Sequence, residues 1–270
     1  MYKHTFDPNI LRSYDIRGIF EKTLNSNDAW MLGYFFGLTI KQDNPLKLHP
    51  LIVVGMDGRL SSPILEKSLN DGLKKSGCEV YRIGMGPTPM LYFSSQYFNA
   101  DGAIQVTGSH NPKDHNGFKI VANQKSFFGK DIIKLGKFAQ EGSDNIHSGS
   151  SKKVTINEEY IKKIIDPLKK YNKLLSDKTI VWDCGNGAVG PSINAITKQL
   201  LGNHIVLFSE VDGNFPNHHP DPTDPSTLKL LSSKMLEVNA DLGIGFDGDG
   251  DRLGIIDKQG RPVPGDLLTA

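Results

Sequence analysis

The sequence is short of the features that would settle its class at once. Only two cysteines occur among 270 residues, Cys78 and Cys184. They stand far apart and fit no metal-ligand spacing, which excludes a disulfide-stapled scaffold and a zinc module; both are expected to be reduced. Charge of one sign is missing too, because 31 basic residues offset 30 acidic ones and leave a formal net charge of +1. No global field therefore draws the chain to nucleic acid or to a membrane surface, which leaves room only for a small, locally held anion. No apolar run is long enough to span a bilayer, and the opening Met1-Tyr2-Lys3-His4-Thr5-Phe6-Asp7-Pro8 lacks the apolar centre of a signal peptide. The expectation is a cytoplasmic protein with no nucleic-acid or membrane partner.

What is present is an alternation of short apolar runs with helical patterns. Ala29, Leu32, Phe36 and Ile40 recur at helical spacing, with Ser26 or Asn27 as the expected cap. Leu51-Ile52-Val53-Val54 reads as a buried strand, followed by the turn Asp57-Gly58-Arg59 and a helix entered through Ser62-Pro63 and ended by Gly77. Val80 to Ile83 is a further strand, and Thr88-Pro89 opens another helix. Strands and helices alternating in this way predict right-handed crossovers and a largely parallel sheet, with loops at the carboxyl ends of strands forming a crevice. From about Gln140 to Ser151 apolar residues thin out, so a boundary is placed there, giving a first domain over 1–150 and a second over 151–256. The second carries an amphipathic helix near Glu158 to Ile165, a strand at Thr179 to Trp182 and another from Ala240 to Phe246. The fold class is α/β: two consecutive domains with mixed, mostly parallel sheets flanked by helices.

Two polar connections carry chemistry. In Gln105-Val106-Thr107-Gly108-Ser109-His110-Asn111-Pro112 the Ser109 hydroxyl stands between small neighbours after the apolar run Gly102-Ala103-Ile104. A serine hydroxyl is a weak nucleophile and needs a base, a cation or an activating group beside it. A second apolar run over Phe118 to Val121 places the turn and Lys119 at the ends of adjacent strands, with His110 and Lys119 in reach. By itself the turn also reads as an ordinary strand-to-strand loop, since Thr, Gly, Ser, Asn and Pro are turn residues. In Asp247-Gly248-Asp249-Gly250-Asp251-Arg252 three carboxylates alternate with glycines between two strands. Clustered like charges are unfavourable without a cation, and hard divalent ions such as Mg²⁺ take oxygen ligands of this kind. An EF-hand does not fit, because its sixth position is Arg252 and its twelfth Lys258. Serine, divalent metal, arginine and lysine form a set suited to phosphoryl transfer. The rival signal is a G-x-G-x-x-G pattern, Gly185 to Gly190, after a strand and with Glu210 ending the next one, which would suit an NAD-dependent oxidoreductase.

Together, Tyr14-Asp15-Ile16-Arg17-Gly18, Thr107 to Pro112, Asp183-Cys184-Gly185-Asn186-Gly187, Asp247 to Arg252 and the segment Gly213 to Pro222 resemble the α-D-phosphohexomutase superfamily, and within it the bacterial phosphomannomutase/phosphoglucomutase enzymes. By that resemblance Ser109 is the phosphorylated serine, and Asp247, Asp249 and Asp251 hold Mg²⁺ together with its phosphate. Lys119 exchanges a proton with the sugar hydroxyl, Arg17 and Arg252 orient phosphate, His110 supports the site, and Tyr14 joins Arg17 in contacting substrate. The reaction implied moves a phosphoryl group between the 1- and 6-positions of a hexose phosphate, with a hexose 1,6-bisphosphate as intermediate and activator. The family has four domains, so residues 257–270 are expected to open a truncated third. The sugar-contacting and distal phosphate-binding loops of domains three and four are not found in the sequence. The chain alone is then expected to turn over little, to be a non-catalytic metal- or phosphosugar-binding remnant, or to be completed by a separate chain supplying domains three and four, which would dock on an exposed apolar face.

Overall fold

A computed structural model describes residues 1–269. They divide into two units, the first comprising Met1–Gly108 and Pro112–Ile156, the second Ser109–Asn111 and the chain from Asn157 onward.

The first unit runs β1 (Ile16–Ile19), α1 (Ser26–Asp43), β2 (Leu51–Met56), α2 (Ser62–Lys75), β3 (Glu79–Met85), α3 (Thr88–Tyr97), β4 (Gly102–Val106), β5 (His115–Ala122), β6 (Lys125–Ser126), α4 (Lys130–Glu141) and β7 (Ser150–Lys153). Its sheet has the order β1-β5-β4-β2-β3-β7, with β6 paired to β5. The side from β4 through β7 is parallel, which requires a crossover between successive strands, and the helices supply it. The side from β4 through β5 to β1 is antiparallel, because the serine-bearing connection turns the chain straight back. Phe36, Ile52, Val54, Leu69, Ile104 and Phe118 are among the fully buried residues of its core. α1 and α2 approach closely where two glycines face backbone: a Cβ on Gly33 would stand 2.2 Å from the Leu69 carbonyl oxygen, and one on Gly72 2.0 Å from that of Trp30.

The cap of α1 is Asn25, one residue before Ser26 and two before Asn27, the expected positions. Its side chain accepts from the N–H groups of Asn27 and Asp28, while Asp28 accepts from the Asn25 N–H, so two orphan donors are satisfied reciprocally. The polar stretch after Gln140 is not a plain linker. Ser150–Lys153 adds an exposed edge strand to β3, a position that lysines suit, and Lys152 Nζ lies 4.1 Å from the centre of the Tyr81 ring and 3.5 Å from Glu79 Oε1.

The second unit continues α5 (Asn157–Leu168), a 3₁₀ turn (Lys169–Tyr171), α6 (Asn172–Leu175), β8 (Thr179–Asp183), α7 (Gly190–Thr197), β9 (Asn203–Leu207), α8 (Lys229–Glu237), β10 (Leu242–Phe246), β11 (Leu253–Ile256), β12 (Pro262–Val263) and α9 (Gly265–Thr269). Its sheet has the order β12-β11-β10-β8-β9, parallel from β10 to β9 and antiparallel on the other side. Val181, Leu231, Met235 and Ile256 are buried at its centre. β12 pairs with β11, so residues 257–263, expected to begin a further domain, close this sheet as a hairpin. Ala270, the last residue of that segment, lies outside the described residues. Both sheets are thus mixed, and antiparallel pairing takes a larger share than the expected mostly parallel arrangement. No helix among the described residues is long and apolar enough to cross a membrane.

Candidate active site

The two polar connections leave their sheets at equivalent places, one after β4 and one after β10. In the first unit Thr107 keeps the ladder going for one more residue, its N–H donating to the Gly117 carbonyl at 3.0 Å. Arg17, opposite Gly117 in the β1–β5 register and 3% exposed, donates from Nη1 to the Gly108 carbonyl and from Nη2 to the Asp15 carboxylate. Gly117 is needed beneath it, since a Cβ there would stand 2.0 Å from the Ile16 carbonyl oxygen and 3.0 Å from Arg17 Nε. Lys119 lies in the middle of β5 opposite Gln105, not at the strand end expected for it. Tyr14 is 84% exposed.

Ser109, His110 and Asn111 belong to the second unit. Ser109 is 1% exposed, and its Oγ donates to Asp247 Oδ2 at 2.8 Å, with His110 Nδ1 3.4 Å away. Asp247 also shapes its own loop. Its Oδ1 accepts from the N–H groups of Asp251 and Arg252, both at 3.1 Å, while Gly250 N–H donates to its carbonyl at 3.0 Å. Gly250 has φ +68, a left-handed conformation that glycine adopts without steric cost. The outcome is one ligand oxygen each from Asp247, Asp249 and Asp251, all within 4.8 Å of one another, with the first two buried and the third exposed. Arg252 is exposed and is tied to the loop through its backbone.

Buried carboxylates crowded in this way repel one another, and a cation of matching hardness removes that repulsion. The donor set contains only oxygen, and it fits a hard divalent ion better than zinc or copper. The triad can therefore hold a metal, and the Ser109 hydroxyl stands at its edge.

The glycine-rich turn after β8 serves this loop and not a dinucleotide. Ala188 N–H donates to the Gly248 carbonyl at 3.0 Å, and a Cβ on Gly187 would stand 2.8 Å from the same oxygen. Gly190 abuts the Ser209 backbone, where a Cβ would stand 2.0 Å from the carbonyl oxygen. Asn186 donates to the Glu210 carbonyl at 2.9 Å and accepts from Asn217 at 2.7 Å. β9 ends at Leu207, before Glu210. The glycines thus admit the protein's own backbone, and the oxidoreductase reading is not supported.

Behind that turn Asp183, 1% exposed, accepts from Gly185 N–H at 2.9 Å and contacts His218 Nε2 at 3.0 Å through both oxygens. Burial works to lower the pKa of His218, but the hydrogen bond and charge of Asp183 outweigh it and hold the imidazole above its ordinary value. Burial pushes the thiol of Cys184 far up and that of Cys78 to about 11, so neither is a ready nucleophile. The partnership of Asp183 with His218 was not predicted, and neither was the burial of Asp57 and Arg59 in the turn after β2. A signal existed for the second: two opposite charges flank a glycine directly after a fully apolar strand.

Comparison with known proteins agrees with this geometry. The family model described as phosphoglucomutase/phosphomannomutase, alpha/beta/alpha domain I, matches residues 8–135, and that of domain II matches 158–260. The chain is 42% identical to a phosphomannomutase/phosphoglucomutase of Pseudomonas syringae pv. tomato, covering 96% of this chain and 54% of that protein. It is 38% identical to a phosphoglucomutase of Neisseria gonorrhoeae, covering 94% and 54%. A crystal structure of a phosphoglucomutase/phosphomannomutase family protein from Burkholderia thailandensis aligns with a TM-score of 0.86 at 36% identity, covering 96% of this chain and 57% of that one. The chain belongs to the phosphoglucomutase/phosphomannomutase family of the α-D-phosphohexomutase superfamily. It spans about half the length of the curated relatives it matches.

Proposed function

We propose that this chain provides the phosphoryl-carrying and metal-holding part of a phosphohexomutase, an intramolecular phosphotransferase that moves a phosphoryl group between the 1- and 6-oxygens of a hexose phosphate. The observation that carries the reading is the Ser109 hydroxyl, buried and donating at 2.8 Å to the first carboxylate of the aspartate triad. In this reading the phosphoserine P–O bond breaks as a hexose hydroxyl oxygen bonds to phosphorus, the Ser109 oxygen keeps the electron pair of the broken bond and so can accept the next phosphoryl group, and the hydroxyl proton passes to Lys119. The other phosphate of the resulting bisphosphate then returns to Ser109, while Lys119 gives its proton back. A hexose 1,6-bisphosphate therefore also serves as the activator that charges the serine.

Asp247, Asp249 and Asp251 would hold Mg²⁺, which when bound offsets the charge on the transferring phosphoryl group. Arg17 fixes the Gly108 carbonyl beside the serine and presents a cation for substrate phosphate, in company with Tyr14. His110 supports the Ser109 hydroxyl, and Arg252 adds a second cation. A cytoplasmic location accords with two free, buried thiols.

The test is peptide mapping of Ser109 by mass spectrometry before and after incubation with glucose 1,6-bisphosphate and Mg²⁺. One phosphoryl group on Ser109, lost again on adding hexose phosphate, is the expected result. A chain that binds Mg²⁺ yet carries no phosphate on Ser109 after this treatment overturns the reading.

A further inference from the structure

Beneath the serine loop lies a charged pair to which none of the roles above is assigned. Asp57, the residue after β2, is 2% exposed and Arg59 1%. Asp57 Oδ1 accepts from the Arg59 N–H at 3.0 Å and the Ser62 hydroxyl at 2.5 Å, and Oδ2 from the Thr107 hydroxyl and the Gly108 N–H, both at 2.9 Å. Arg59 Nε lies 3.2 Å from the same Oδ2. The guanidinium then reaches the other end of the loop, where Nη1 donates to the carbonyls of Pro112 at 2.5 Å and His115 at 2.9 Å. One ion pair thus holds both entry and exit. It also carries the loop backbone directly, since a Cβ on Gly108 would stand 2.1 Å from Arg59 Nε and 2.2 Å from Cζ.

Between the two held ends Ser109 has φ +50, a conformation that a side-chain-bearing residue keeps only where its surroundings enforce it. Stability alone is a poor reason for such a pair, because a buried ion pair gains little over well-packed apolar residues of similar volume. Its contacts are instead directional and end on the loop. We infer that Asp57 and Arg59 are positioning residues that hold residues 107–112 in the one conformation from which Ser109 exchanges its phosphoryl group. The inference rests on the proposed role of Ser109, and its test separates the two.

Asp57→Asn and Arg59→Lys are made in the full chain, together with the milder Ser62→Ala and Thr107→Val, each of which removes one donor to Asp57. Hydrogen–deuterium exchange is followed in peptides spanning 107–116, in α1 and in the second sheet. Exchange in 107–116 is expected to rise at least about tenfold while the other peptides keep parental rates. Phosphorylation of Ser109 by glucose 1,6-bisphosphate, counted per folded molecule, is expected to slow at least about tenfold at saturating donor with half-saturation changed less than about twofold, since small misplacements of a reacting group act on kcat. A merely structural role would lower the folded fraction and leave that rate alone. Folded variants whose loop exchange and rate both stay within about twofold of the parent overturn the inference. If the parent itself takes no phosphate on Ser109, the proposed function fails, while loop exchange still decides whether the pair is a brace. Should Asp57→Asn not fold, Ser62→Ala and Thr107→Val carry the same comparison.

Discussion

The two units repeat one topology. The strands after the opening segment of each occur in the orders β5-β4-β2-β3 and β11-β10-β8-β9, and in each the third strand ends in a polar loop that turns back antiparallel. Each first strand also leads into a buried aspartate, Asp57 or Asp183, that accepts an N–H from two residues onward. There the likeness ends. Asp57 reaches past its own turn to the loop of the neighbouring strand, whereas Asp183 engages His218 in the long connection after β9. The aspartate loop is held from within by Asp247, which accepts two amides of its own loop, and from outside by backbone, the Ala188 N–H donating to the Gly248 carbonyl. One topology therefore presents one loop by a charged side-chain clamp and the other by self-capping with a backbone buttress.

The most severe test of this contrast is Ser109→Ala, which is expected to abolish phosphate incorporation; intact mass after incubation with glucose 1,6-bisphosphate checks it. Next in size is the difference between two of the three aspartates. Asp249→Asn is expected to weaken Mg²⁺ binding at least about tenfold in calorimetric titration while leaving the loop intact, by analogy with the sensitivity of metal sites to their supporting groups. Asp247→Asn is expected to weaken Mg²⁺ as much and also to raise amide exchange at Asp251 and Arg252, because it loses a charged acceptor for both. Equal loop exchange in the two variants would remove the self-capping role.

Asp183→Asn sharpens the comparison from the other side. Replacing a buried charged acceptor is expected to cost about 2 kcal/mol in denaturant melts, with the rate of Ser109 phosphorylation per folded molecule unchanged. A slowed rate would show that Asp183 too acts on the chemistry. The smallest effect is on pH. The folded pKa of His218 is raised, so the stabilisation from its pairing with Asp183 is fully present below the ordinary histidine value and is lost as pH climbs through the raised one. Melting temperature is expected to fall across that window, and Asp183→Asn to flatten the fall.

Much of this was legible in the sequence because its signals are local. β-branched residues marked β2 and the centre of β8, since the buried part of a parallel strand must be apolar on both faces. Three aspartates within five residues marked a loop that could hold a cation, since a counter-charge relieves such crowding. β7 escaped because an edge strand of serines and lysines has no apolar pattern to read, and its partners on β3, the backbone and the Tyr81 and Glu79 side chains met by Lys152, lie far back along the chain. The cap of α1 was missed by one or two residues because Asn25, Ser26 and Asn27 all carry capping side chains, and geometry chose among them.

By itself the sequence determined two α/β units, the serine loop, the aspartate loop and the glycine turn, because hydrophobic runs and clustered chemistry need only neighbouring residues to be seen. Tertiary structure decided which carboxylate oxygen meets the Ser109 hydroxyl, a contact between residues 138 positions apart. It also converted Asp57 and Arg59 from turn residues into a buried clamp, and the glycine turn from a candidate dinucleotide cradle into a buttress for Gly248. The physical reason is common to all three. A buried polar group must find a partner, and when that partner lies far along the chain, only the folded sheet brings the two within hydrogen-bond distance.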